Sequence, residues 1–233
     1  MAKVYLIPNT ISEEGLETLP AYLKDIVSRL RHFVVEEERE GRRFLKKLCP
    51  EIPLPACAFF VVNEHTAPKE FQGILEQISQ RDMGLISEAG CPCVADPGAE
   101  LVLLAHQQDR EIVPLVGPSS IVLALMGSGL NGQNFAFNGY LPKEREARIR
   151  KIKLLEKRSL AEDQTQIFMD TPYRNQHVFE DILSHAQPQT FLCLAADLTG
   201  KEQDIKTLTV EEWKKRKPSL AKKPVLFLIH QRN

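Results

Sequence analysis

The sequence predicts an α/β protein of two domains, and three observations carry that expectation. Short apolar runs of strand length alternate with segments of helical periodicity through the first half of the chain. The second half repeats this rhythm less regularly, and the texture changes across VPLVGPSSIVLALMGSGLNG at 113–132. With 233 residues, 43% of them hydrophobic, the chain can form either one large core or two modest ones. The boundary is therefore expected near residue 117, giving domains 1–116 and 117–233.

In chain order, strands are expected at VYLIP (4–8), HFVVE (32–36), AFFVV (58–62), MGLIS (83–87) and EIVPLV (111–116). The segments AYLKDIVSRL, GRRFLKKL, KEFQGILEQISQ and AELVLLAHQQ lie between or after them and read as helices. Short buried strands joined by helical crossovers imply a mostly parallel sheet. In the second half NFAFNGYL, QTQIFM, TFLCLAA, IKTLTV and PVLFLIH read as strands, and EREARIRKIKLLEKR and NQHVFEDILSHA as helices.

The formal net charge of −1 argues against a surface that grips nucleic acid all round, while leaving a local basic face open. Eight Lys/Arg against three Glu between Lys143 and Arg158 form such a candidate face, with Ile149, Ile152 and Leu155 as its buried stripe. The same pattern also describes an ordinary solvated amphipathic helix. KKRKPSLAKK at 214–223 invites the same two readings. The N-terminus lacks an apolar signal core, and no run approaches the ~20 apolar residues of a membrane span. Five scattered cysteines (Cys49, Cys57, Cys91, Cys93 and Cys193) fit reduced thiols in the cytoplasm. Cys91 and Cys93 have no second CxxC or nearby histidine to complete four ligands, so no metal site is expected.

Three glycine-rich stretches follow or interrupt these elements. ISEAGCPCVADPGAELV, from Ile86, spends far more residues between strand and helix than a turn requires. Asp96 and Pro97 suit a helix start, with Pro97 at the first helical position. Gly90 permits close approach of a ligand or another backbone, and Pro92 stiffens the loop. The loop stands at the carboxyl end of a strand, where open α/β sheets bind ligands. GPSSIVLAL, from Gly117, is a second strand-to-helix loop, with Pro118 and Ser119 suited to the helix's first turn. GSGLNG at 127–132 spells a dinucleotide fingerprint but follows a helix and precedes a strand, the wrong context for one.

Taken together, LISEAGCPCVADPGAELV, VPLVGPSSIVLAL, SGLNGQNFAFNGYLP, IFMDTPYR (167–174), AADLTGKEQ (195–203) and EEEREGRRFL (36–45) resemble the tetrapyrrole methylase superfamily of S-adenosylmethionine-dependent methyltransferases. The likeness spans nearly the whole chain and is closest to the branch that methylates a ribose 2′-hydroxyl of small-subunit ribosomal RNA. It implies two α/β domains with S-adenosylmethionine folded between them, usually in a homodimer. By matching positions, Ala89, Gly90, Cys91 and Val94 would contact the cofactor. Ser119, Ser120, Met169 and Asp170 would complete its pocket. Glu36, Glu37 and Asp170 are the candidate bases, and Arg39, Arg42 and Arg174 the candidates for orienting substrate phosphates.

The chain departs from the family pattern at several points. The first loop reads PNTISEEG rather than T-P-I-G-N-L, with Ser12 in place of a glycine. Cys91 replaces a threonine, DTPYR replaces an ESPHR-like motif, and AADLTG replaces RELTK, moving the lysine to Lys201. The sequence stops at about the last expected strand of the second domain, ahead of the extra C-terminal helical segment that many ribosomal members carry. Two other readings therefore stand beside the ribosomal one: methyl transfer to a tetrapyrrole or other small molecule, and a cofactor-binding protein that no longer catalyses.

Overall fold

The computed structural model describes residues 2–216, 218–220 and 222–232. The chain forms two compact units, Met1–Ser119 and Ser120–Asn233, so the division falls slightly later than the 116/117 boundary expected from sequence texture.

The first unit comprises β1 (Lys3–Ile7), α1 (Leu23–Arg29), β2 (His32–Val35), α2 (Glu38–Leu48), β3 (Ala58–Val61), α3 (Pro68–Ile78), β4 (Met83–Ile86), α4 (Gly98–Gln107) and β5 (Glu111–Pro114). The five strands pair in the order β3-β2-β4-β1-β5, and every pair is parallel. Side chains of a strand alternate between faces, and the core follows that alternation. Ile7, Phe33, Val35 and Ile86 join Leu23 and Val27 of α1 and Phe44 and Leu45 of α2. Val4, Val34, Met83 and Leu85 join Phe71, Leu75 and Ile78 of α3 and Leu101 of α4 on the opposite face. Each such fully buried side chain contributes about 1.5–3 kcal/mol.

This distribution positions the site. α2 leaves β2 on one face, α4 leaves neighbouring β4 on the other, and α1 leaves β1, on β4's far side, on the α2 face. Where adjacent parallel strands send their helices to opposite faces, a crevice opens beyond their carboxyl ends. The β4–α4 loop emerges into it.

Two helix starts differ from expectation. α2 begins at Glu38, well before GRRFLKKL, because the Glu37 carboxylate accepts the Glu40 amide at 2.8 Å and caps it. α4 begins at Gly98 rather than Pro97: Asp96 Oδ1 accepts the Gly98 amide at 2.7 Å, which leaves Pro97 just outside the helix.

The second unit contains α5 (Ser120–Ser128), β6 (Phe135–Tyr140), α6 (Arg145–Glu162), β7 (Thr165–Met169), α7 (Asn175–His185), β8 (Phe191–Ala196), β9 (Asp204–Thr209), α8 (Val210–Lys214) and β10 (Val225–His230). Because α5 starts at Ser120, Pro118 and Ser119 stay in the loop before it rather than in its first turn. The sheet order is β6-β7-β10-β8-β9; β6 and β7 are parallel and the other pairs antiparallel. α6, α7 and α8 cover one face through Ile152, Leu155, Phe179, Ile182 and Trp213, while α5 packs on β8, β9 and β10. GSGLNG does link a helix to a strand, α5 to β6.

The short α8 was not expected. Thr209 and Glu212 form a reciprocal capping box, and Trp213 donates its indole N–H to the Leu192 carbonyl at 2.8 Å while meeting Phe179 edge-on.

Candidate functional site

The long β4–α4 loop is built against the carboxyl-end loops of β1, its neighbour in the sheet, and of β5, one strand further on. The Asn9 amide after β1 donates to the Gly90 carbonyl at 2.8 Å, and the Gly90 amide returns a longer bond of 3.4 Å to the Thr10 carbonyl. The Asn9 side-chain amide donates to the carbonyls of Ser87 and Glu88, both at 3.0 Å. On the β5 side the Cys91 thiol donates to the Pro118 carbonyl at 3.4 Å. Gly117 lies against Pro8; a Cβ there would stand 2.1 Å from the proline Cβ, which only glycine avoids. Gly90 itself has φ +67°, a left-handed conformation costly for residues with a Cβ.

Gly90 and Pro92 are buried, whereas Ala89 and Val94 are exposed at the loop's rim. Cys91 and Ser119 are half-buried. Ser120 is the first residue of α5 in the second unit. Asn9 was missed, although an asparagine directly after a strand-ending proline is the kind of side chain that ties loops together.

Glu36 is at the end of β2 and reaches the same loop. Its Oε1 accepts the Glu88 amide at 2.9 Å. Burial pushes its carboxyl up to about 7, against the Glu88 hydrogen bond that lowers it, and the Asp96 carboxylate adds to the rise. Glu37 is exposed and caps α2; Arg39 is exposed on the helix's first turn. Arg42 serves structure, bonding Glu38 at 2.7 Å and stacking 4.1 Å over Phe59. A cavity of about 270 Å³ adjoins the first loop, lined among others by Asn9, Ile11, Ser12, Arg43 and Glu88.

In the second unit Asp170 is buried just after β7. Its Oδ1 accepts from the Thr171 amide at 2.6 Å and from Arg174 at 2.5 Å. Met169, the last residue of β7, is half-buried. The Asp197–Gly200 turn within AADLTG is closed by a 2.9 Å backbone bond and leaves Lys201 on the surface. On α6, Arg148 is buried and held by Asp181 at 2.7 Å, and Arg145 reaches the same carboxylate at 3.0 Å. Lys153, Lys157 and Arg158 remain exposed on this helix. The cluster at 214–223 includes Lys217 and Ala221, which lie outside the described residues. Among the described residues no group of three His, Cys, Asp or Glu is placed to hold a metal ion, and no helix is long and apolar enough to cross a membrane.

No family model matches the chain. It is 28% identical over 231 residues to the ribosomal RNA small subunit methyltransferase I of Vibrio cholerae, a match covering 97% of this chain and 76% of that protein. It is 31% identical over 202 residues to the protein of the same name from Micromonospora olivasterospora, covering 87% of this chain and 61% of the relative. Among solved structures, diphthine synthase aligns with TM-score 0.67 at 13% identity, covering 99% of this chain and 90% of that one. The methyltransferase CobJ aligns with TM-score 0.64 at 16% identity, covering 99% and 95%. The chain is an S-adenosylmethionine-dependent methyltransferase similar to the ribosomal RNA small subunit methyltransferases I, and it shares the fold of CobJ and diphthine synthase.

The methyltransferase loop suits an electrophilic sulfonium cofactor. A thiolate beside it would compete for the methyl group, since the thiolate is the nucleophilic form of cysteine. Here burial pushes the Cys91 thiol up, and burial with the neighbouring Asp96 pushes Cys93 up to about 12, so both thiols stay neutral.

Proposed function

We propose that this methyltransferase modifies small-subunit ribosomal RNA at a ribose 2′-hydroxyl, acting in the cytoplasm as a homodimer. The observation that carries the reading is the β4–α4 loop, fixed by Asn9, Cys91 and Gly117 into one rigid edge. Such an edge aligns a bound cofactor without acid–base chemistry of its own. The cofactor supplies an activated methyl group. The protein's task is to place the hydroxyl and take its proton.

The names of the Vibrio and Micromonospora relatives support the ribosomal acceptor. Exposed Lys153, Lys157 and Arg158 offer a modest electrostatic contact to phosphates. Arg148 is excluded from that role by its buried pairing with Asp181.

The test is transfer of a labelled methyl group to undermethylated small ribosomal subunits. Label in the small-subunit RNA, at a nucleotide resistant to alkaline cleavage, is the expected result. Transfer only to a tetrapyrrole or other small molecule would replace the acceptor. Tight cofactor binding with no transfer to any acceptor would leave a binding protein in place of an enzyme.

A further inference from the structure

We propose that Glu36 is a positioning residue that clamps the cofactor loop at both ends, accepting the Glu88 amide at the loop's start and donating its own proton to the Asp96 carboxylate at its finish. Three observations meet here. Glu36 Oε1 accepts from Glu88 at 2.9 Å. Asp96 Oδ1 is occupied by the Gly98 amide at 2.7 Å. Asp96 Oδ2 is buried with no donor. Two half-buried carboxylates that meet do not both ionise at ordinary cost; a proton on Glu36 supplies the donor that Asp96 Oδ2 lacks. A protonated Glu36 gives Asp96 Oδ2 its hydrogen bond and still accepts from Glu88.

The charges around the pair do nothing to replace that proton. The groups that bear most on Glu36 are Asp96 and Glu88, both acidic. Cys93, beside Asp96, is neutral. On α2, Glu37 caps its own helix, Arg39 is exposed, Arg42 is bound to Glu38, and Arg43 to Glu40. The loop therefore closes best with Glu36 protonated. Because Glu36 is raised from 4.5 to about 7 in the closed loop, closure weakens as pH rises from about 4.5 and levels off above about 7. The consequence for the cofactor rests on the methyltransferase reading, whereas the clamp itself is measurable without ligand.

The experiment is hydrogen exchange of the Glu88 and Gly98 amides between pH 5 and 8, each expressed as protection relative to its intrinsic rate. In the wild type, protection should fall about tenfold or more and then flatten. In Glu36→Gln it should stay level, because the carboxamide accepts from Glu88 and donates to Asp96 whatever the pH. Asp96→Asn should be level too, its amide donating to Glu36. An equal pH slope in the wild type and Glu36→Gln, or no slope in the wild type, would overturn the clamp. Titration with S-adenosylhomocysteine at pH 6 asks separately whether the loop binds the cofactor: no heat there counts against the cofactor reading and leaves the exchange result to stand alone.

Discussion

Between α6 and α7, Asp181 meets two guanidinium groups; at the carboxyl edge of the first sheet, Glu36 meets a second carboxylate. The two acids do opposite work. The Asp181 site is electrically complete: Arg148 and Asp181 are both buried, and the pair fixes α6 to α7. The Glu36 site is left incomplete, with Asp96 Oδ2 lacking a donor and Glu36 close to neutrality in its affinity for a proton. Charge used to hold a fold is answered by its opposite; charge kept for a working loop is left adjustable.

The first way to break this contrast is at the completed site. Asp181→Ala leaves Arg148 buried without its partner and should cost about 3–5 kcal/mol in urea unfolding. A joint Arg148→Met, Asp181→Leu replacement should recover most of that loss, since apolar pairs of similar size often substitute for buried ion pairs. A single-variant loss below about 1 kcal/mol would show that the pair is peripheral.

A smaller effect is expected in the loop cluster. Gly117→Val drives a side chain into Pro8 and should displace the β5 loop, at about 1–3 kcal/mol of overpacking. Its signature is selective: affinity for S-adenosylhomocysteine should drop about tenfold in a calorimetric titration while the fold persists. Affinity equal to the wild type would mean that the cluster tolerates movement. The smallest effect belongs to α8. Thr209→Ala removes half of the capping box and should lower stability by about 1 kcal/mol, with cofactor affinity unchanged.

Much of the fold was legible because its strands are short β-branched and aromatic runs, and its helices carry one apolar face. VYLIP, MGLIS and PVLFLIH need no tertiary information to be read as buried strands. α8 was not legible: five residues carry no period, and the helix depends on a capping box and on Trp213 finding Phe179 and Leu192. α6 was legible as an amphipathic helix but not in its charges, because the burial of Arg148 depends on Asp181 of α7. The β4–α4 loop announced itself by its glycines and prolines. Its partners did not, since Asn9, Pro8 and Glu36 reach it only once the parallel sheet sets β1 and β2 on either side of β4. The raised proton affinity of Glu36 was hidden for the same reason: it depends on burial and on Asp96.

The central claim is that this stitched edge is the cofactor site. The most direct measurement is a calorimetric titration with S-adenosylhomocysteine of the wild type and of Gly90→Val, with circular dichroism to follow the fold. Valine at the left-handed φ of +67° strains the loop where it pairs with Asn9 and Thr10. Micromolar binding by the wild type, lost in a folded Gly90→Val protein, is the predicted result; equal binding by both would contradict the placement of the site.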